Sequence, residues 1–134
     1  NDDDGDSPMT QIIDSAMPQG DFTAMRQGTF VAQNGTPTEG MAKIGRDAES
    51  TPFLKFTSDF NTKFSTGTVT VYFSTSETLA FDAGNNNPDA KLVGITSEAG
   101  EQFFKLSGAV DSKFTHVILW CASANVPFGY APLN

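Results

Sequence analysis

This chain of 134 residues has one cysteine, one histidine and one tryptophan. A single cysteine cannot form an internal disulfide, so Cys121 is a core side chain, a reactive thiol, a metal ligand or an intermolecular link. Together with the single histidine, His116, it is also too little for a structural zinc site, unless carboxylates or a second chain contribute ligands. Much of the functional question is therefore a choice among these four roles of Cys121.

Clusters of lysine and arginine are absent, and so is any apolar run of transmembrane length. A protein that binds nucleic acid or an anionic membrane surface through charge needs a basic patch, and a membrane-spanning helix needs about 20 apolar residues. We therefore expect this chain neither to bind nucleic acid nor to span a membrane.

Catalytic signatures are missing as well. The sequence has no G-x-S-x-G motif, and one histidine without a nearby nucleophile predicts no catalytic triad. It has no glycine-rich phosphate loop, and its acids are too scattered to suggest a glycosidase pair. Whether the chain is an enzyme stays open, and a redox-active thiol is the most that these residues support.

Negative charge is concentrated at the N-terminus. The formal net charge is −8, but residues 1–21 hold six acids and no base, which leaves −2 on residues 22–134. We interpret residues 1–21 as an acidic tail with a short helix from Met9 to Met17, and residues 22–134 as one domain. An Asp-rich start before a β-domain is typical of an exported protein. We therefore expect an extracytoplasmic location, with a lipid anchor attached through a removed leader.

The tail resembles a calcium loop at first sight, because Asp2, Asp4 and Asp6 alternate as its first ligands do. Ser7 stands where such a loop needs glycine, and Ile13 where it needs a bidentate glutamate. We therefore expect a solvated tail and no metal site.

From Phe22 onward the sequence has the pattern of an all-β fold. Apolar and polar residues alternate most regularly in Thr68–Ser74, where Val69, Val71 and Phe73 share one face. Short runs of this kind recur between Gly, Asn and Pro residues, and Asn34-Gly35 is a turn signal. The pattern predicts an antiparallel β-sandwich of about eight strands, with Val69, Val71, Phe73, Leu106, Val117 and Leu119 in its core.

Alternation along Phe114–Cys121 separates the two side chains that could form a catalytic pair. Cys121 shares a face with Val117 and Leu119, whereas His116 falls on the opposite face. A Cys-His dyad within this strand is therefore excluded. Burial disfavours a thiolate, so we expect a buried Cys121 to have a raised pKa, unless the fold brings a cation near it.

The end of the chain resembles a known family. Residues 118–121 read I-L-W-C and residues 125–133 read N-V-P-F-G-Y-A-P-L, which is similar to the signature of the electron-transfer DM-thirteen domain. Val71-Tyr72-Phe73-Ser74 and Leu92-Val93-Gly94 resemble earlier strands of that family, in the same order. The resemblance covers about residues 22–133.

This resemblance implies an extracytoplasmic β-sandwich with a proposed redox role centred on its cysteine, which is Cys121 here. It also carries Trp120, Phe128 and Gly129 over as supporting residues. The chain departs from the family pattern at Ala124, where an aromatic is usual, and at Thr66-Gly67-Thr68, where a Gly-Pro-Asp-like turn is usual. No cofactor is implied, and a small core rich in phenylalanine leaves little room for haem.

Two functions therefore stand side by side. The first is an exported accessory domain with a redox thiol, acting as a monomer on a protein partner. The second is a non-catalytic binding or adhesion module in which Cys121 only packs the core. A third, carbohydrate binding, would need exposed aromatic side chains, for which Tyr72, Trp120 and Tyr130 are the candidates.

Overall fold

The computed structural model describes residues 17–79 and 88–134, and in these ranges it contains nine strands and no helix. The strands are β1 (Thr23–Thr29), β2 (Val31–Ala32), β3 (Met41–Arg46), β4 (Pro52–Phe56), β5 (Val69–Ser74), β6 (Ala90–Thr96), β7 (Gln102–Lys105), β8 (His116–Cys121) and β9 (Val126–Pro132). They form two antiparallel sheets, with orders β1-β3-β4-β7 and β2-β9-β8-β5-β6. The expected antiparallel sandwich is confirmed.

Two expectations fall mostly outside what the structure describes. Residues 1–16 of the expected acidic tail, with all but the last residue of the expected Met9–Met17 helix, lie before residue 17. The division of the chain between residues 21 and 22 also stays a prediction. Among the described residues, none belongs to a helix long and apolar enough to cross a membrane.

The core lies between the sheets and is built by the alternation seen in the sequence. Val69, Val71, Phe73, Val117 and Leu119 are each at most 1% exposed, as expected, whereas Leu106 is half-buried at the margin. Phenylalanine fills the middle. The Phe56 ring lies 5.3 Å from that of Phe30, 4.5 Å from that of Phe60 and 5.2 Å from that of Phe104. These rings belong to one core cluster with Val71 and Leu119 of the five-stranded sheet, so the cluster packs the two sheets against each other.

The chain changes sheets at Phe30. The run from Thr29 to Ala32 is divided between the sheets, because Thr29 ends β1 in one sheet and Val31–Ala32 form β2 in the other. Phe30 turns into the core, and its N–H donates to the Gly40 carbonyl at 2.9 Å. The predicted Asn34-Gly35 turn forms, with φ of 54° and 69°. It does not join paired strands, because it leads from β2 back to β3 in the other sheet.

The two sheets meet along β1 and β9. A Cβ added at Gly28 would lie 1.6 Å from the Pro132 carbonyl oxygen, so glycine is required for this approach. The N–H of Asn134 donates to the Gln27 carbonyl at 3.0 Å and closes the same side. β8 is the central strand of the five-stranded sheet, so its two ends lie on the order of 20 Å apart at opposite ends of the sandwich.

Candidate functional site at the end of β8

Cys121 is the last residue of β8 and faces the core. Its residue is 0% exposed and belongs to the same core cluster as Val117 and Leu119, which confirms the predicted face. The four residues that follow, 122–125, form an exposed turn. The turn is closed by Asn125, whose N–H donates to the Cys121 carbonyl at 2.8 Å and whose φ is 58°. The sulfur therefore lies directly beneath a short surface turn.

Two hydroxyl groups contact the thiol. The Cys121 Sγ lies 3.3 Å from Thr66 Oγ1 and 3.3 Å from Ser123 Oγ. Ser123 Oγ also donates to the Thr66 carbonyl oxygen at 3.3 Å. A hydroxyl has one proton to donate. Ser123 can therefore donate to the Thr66 carbonyl while the sulfur is protonated, and rotate to donate to Sγ once a thiolate forms.

These groups change the acidity of the thiol. Burial raises the pKa of Cys121, but hydrogen bonds from the Ser123 and Thr66 hydroxyls, with the backbone N–H groups of Ala124 and Ser123, outweigh burial and leave this pKa below its ordinary value. The expectation of a raised pKa is therefore wrong. That expectation allowed only a nearby cation to lower the pKa of Cys121, whereas the structure supplies neutral hydrogen-bond donors that stabilise the thiolate.

The residues that the resemblance offered as supports lie at different places. Trp120 is on the outer face of the sheet, paired with Thr70 and Pro127, so its side chain points away from the thiol. Phe128 lies in the core cluster with Cys121. Its carbonyl accepts hydrogen bonds from the Gln33 N–H and from Thr38 Oγ1.

Gly129 serves the packing of β9. A Cβ there would lie 2.9 Å from the Val31 carbonyl oxygen and 3.0 Å from Thr38 Cγ2, so a larger residue would push β2 and Thr38 away from β9. Gly129 therefore affects how these segments pack and does not contact the thiol.

His116 lies on the outer face, as the alternation predicted. Its Nδ1 is 2.8 Å from Thr115 Oγ1, and its ring is 5.8 Å from that of Tyr130. Burial lowers the pKa of His116, and the charge of Glu77 opposes this shift. Within the described residues, no group of three His, Cys, Asp or Glu side chains is placed to hold a metal ion.

The same outer face brings together the three aromatic candidates for carbohydrate binding. Tyr72, Ile118 and Tyr130 lie side by side in register across three strands, and Trp120 follows on the same face. All three aromatic residues are half-buried. Each therefore presents only part of its ring to solvent.

Sequence reasoning missed Thr66 and Ser123. Ser123 could have been found, because a residue two positions after a strand end can turn back towards it. Thr66 gave no such signal, since it precedes Cys121 by 55 positions. Both places where the chain departs from the family pattern nevertheless lie at the thiol: Thr66 supplies a hydroxyl and Ala124 a backbone N–H.

A family model described as Electron transfer DM13 matches residues 29–133. The chain belongs to this family. The DM13 match includes the cysteine and both hydroxyl partners, and the family's description suggests a redox role. No curated protein and no solved structure matches the chain.

Proposed function

We propose that this DM13 domain is a redox domain of the exported compartment that works through Cys121 on a protein partner. The observation that supports the proposal is the set of hydrogen-bond donors around Cys121 Sγ. A cysteine that only packs the core does not require such donors. Two hydroxyls and two backbone N–H groups favour the thiolate, and they outweigh the burial that opposes it. A cysteine that only fills space in a core needs apolar neighbours instead. The acidic N-terminal stretch supports the exported location.

The chemistry proposed is thiol–disulfide exchange. The Cys121 thiolate attacks one sulfur of a disulfide in the partner protein, the S–S bond of the partner breaks, and its other sulfur leaves as a thiolate. The product is a mixed disulfide between Cys121 and the partner. A thiolate of a second protein then attacks the partner's sulfur and releases Cys121 as a thiolate again. Each step forms one S–S bond and breaks one, so electrons balance without a cofactor.

Access to the sulfur requires the turn at residues 122–125 to open. All four residues are exposed, as is Thr66 beneath them. Segments with few buried contacts open locally at a smaller free-energy cost than global unfolding. A partner that displaces this turn would therefore reach Cys121 while both sheets stay paired.

Native-state alkylation with iodoacetamide between about pH 6 and 10 tests the proposal, since the thiolate is the reacting form. We expect the wild-type protein to label while folded, with an apparent pKa below that of a free thiol. Thr66→Val and Ser123→Ala should each raise this pKa. Thr68→Val and Ser97→Ala are matched controls, because both residues are exposed and neither contacts the sulfur.

Incubation with oxidised glutathione should give a mixed disulfide at Cys121, detected by mass spectrometry.

The second candidate is a non-catalytic binding or adhesion module, and one observation favours it. Cys121 is 0% exposed and shares a cluster with the apolar core. If the thiol reacts only under conditions that unfold the domain, with wild type and Thr66→Val alike in rate, the redox proposal fails and the packing role stands.

A further inference from the structure

A cavity of about 330 Å³ lies at the end of the sandwich opposite to Cys121. It opens to solvent and is lined by β1, β3, the start of β4 and the segment that joins β7 to β8. Its walls combine two cations with apolar side chains, namely Arg26, Arg46, Met25, Ile44, Pro52 and Val110.

A bulge in β1 places Arg26 at this cavity. Ala24 pairs with Gly45 and Arg26 pairs with Ile44, so Met25 is an extra residue in the ladder. The extra residue shifts the alternation by one position. As a result Met25 is 61% exposed at the rim, whereas Arg26 shares the inward face of Ile44.

Arg26 has a hydrogen-bonding capacity that the described residues leave unused. Its Nη2 donates to the Phe114 carbonyl oxygen at 2.7 Å, while its Nη1 is enclosed and has no partner among the described residues. Within residues 17–79 and 88–134, neither Arg26 nor Arg46 forms an ion pair with a carboxylate. The guanidinium charge of Arg26 is therefore not neutralised by any described carboxylate, and a carboxylate in the cavity would pair with it.

Positive charge is concentrated around this end of an otherwise acidic protein. On the other side of the segment at residues 106–111 lies a second cavity of about 240 Å³, whose walls include Lys91 and Lys105 and one acid, Asp111. The two cavities therefore hold four of the eight lysine and arginine residues of the chain. This concentration attracts small anions against the overall charge of −8.

We propose that the cavity beside Arg26 and Arg46 binds a small amphipathic carboxylate, such as an aliphatic monocarboxylic acid. The planar guanidinium matches the two oxygens of a carboxylate, and Ser50 in the cavity wall offers a further hydroxyl donor. The apolar walls of Ile44, Pro52 and Val110 favour a ligand with a hydrocarbon body. They disfavour a strongly hydrated ion such as phosphate.

Titration with octanoate, followed by two-dimensional amide NMR of the intact chain, tests this proposal. We expect saturable shifts at the residues of β1, at residues 44–52 and at residues 109–110, with acetate and inorganic phosphate much weaker. Arg46→Gln removes an exposed cation and should weaken octanoate binding roughly tenfold, as the loss of a charge-assisted hydrogen bond does. Lys63→Gln is the matched control, because Lys63 is exposed and lines neither cavity.

Arg26 needs a more conservative variant, because its bond to the Phe114 carbonyl also supports the fold. Arg26→Lys keeps the charge but loses the planar fork, and we expect it to fold with a weakened octanoate affinity. If Arg46→Gln and Lys63→Gln weakened octanoate binding equally, binding would depend only on the net charge of the protein, and the proposal would be wrong. Binding of acetate or phosphate as tight as that of octanoate, or shifts that do not saturate, would also overturn it. Cys121→Ser should leave the affinity unchanged, so this test is independent of the thiol.

Discussion

The two ends of β8 favour negative charge by different physical means. At the Cys121 end, two hydroxyls and two backbone N–H groups surround a buried sulfur. Beyond the His116 end, where Arg26 bonds to the Phe114 carbonyl oxygen, Arg26 and Arg46 carry full charges into the wall of a cavity. Dipoles act at short range and are fixed by the fold, whereas full charges act over longer distances and are screened by salt. One end thus suits a group of the protein itself, and the other suits a ligand that arrives from solution.

The core between the two ends is what keeps both arrangements in place, and Phe56 is at its centre. Phe56→Ala should lower the free energy of unfolding by about 3–5 kcal/mol, because it removes a fully buried ring that contacts three others. Urea unfolding measures this loss. Phe22→Ala is the control, since Phe22 is half-buried and its ring contacts that of Phe103, which lies outside the core cluster. A smaller loss for Phe56→Ala than for Phe22→Ala would contradict this assignment of the core.

Substitutions of Cys121 separate the contribution of packing to stability from the contribution of its hydrogen bonds. Cys121→Ala should cost about 1–2 kcal/mol as a small truncation in the core. In a purely apolar site Cys121→Ser would cost more, because a buried hydroxyl would lack partners. Here Thr66 and Ser123 offer partners, so we expect Cys121→Ser to be no more destabilising than Cys121→Ala. Chemical denaturation of both variants gives the comparison, and a clearly less stable serine variant would count against the polar environment.

Asp47 links the pH dependence of stability to the arginine end, because it follows Arg46 directly. Its Oδ2 accepts the Gln19 N–H at 2.8 Å, and its Oδ1 accepts the N–H groups of Glu49 and Thr51 at 2.9 Å each. The Gln19 N–H lowers the pKa of Asp47 most, burial opposes it, and the other two N–H groups lower it further.

A lowered pKa in the folded state means that the charged Asp47 stabilises the fold above the unfolded-state pKa, which is about 3.9. This stabilisation is lost as the pH falls through the folded-state pKa. Asp47→Asn should therefore reduce the melting temperature near neutral pH, and its difference from wild type should shrink below about pH 4. Glu98→Gln, at an exposed residue, is the control. A difference that stays constant down to pH 2 would refute this role.

The sequence was sufficient for the fold because period-two alternation in segments such as Thr68–Ser74 reports directly on burial. The same reasoning placed Cys121 and His116 on opposite faces. It could not reveal the split at Phe30, because a strand that changes sheets keeps its alternating pattern. Nor could it reveal the Thr66 contact or the Met25 bulge, since both depend on which strands become neighbours. Local patterns determine faces, and tertiary pairing determines sites.

The salt dependence of thiol alkylation and of octanoate binding should distinguish the two ends, and we expect this to be the smallest of the effects. Raising the sodium chloride concentration from about 0.02 to 0.5 M shortens the Debye length from roughly 20 Å to about 4 Å. The donors around Cys121 carry no net charge and lie in contact with the sulfur, so the midpoint of its alkylation profile should barely move. Octanoate binding at Arg26 and Arg46 should weaken several-fold, because both the attraction and the Arg46 contact are exposed to screening. A thiol midpoint that rises steeply with salt would show that a cation, rather than neutral donors, governs Cys121.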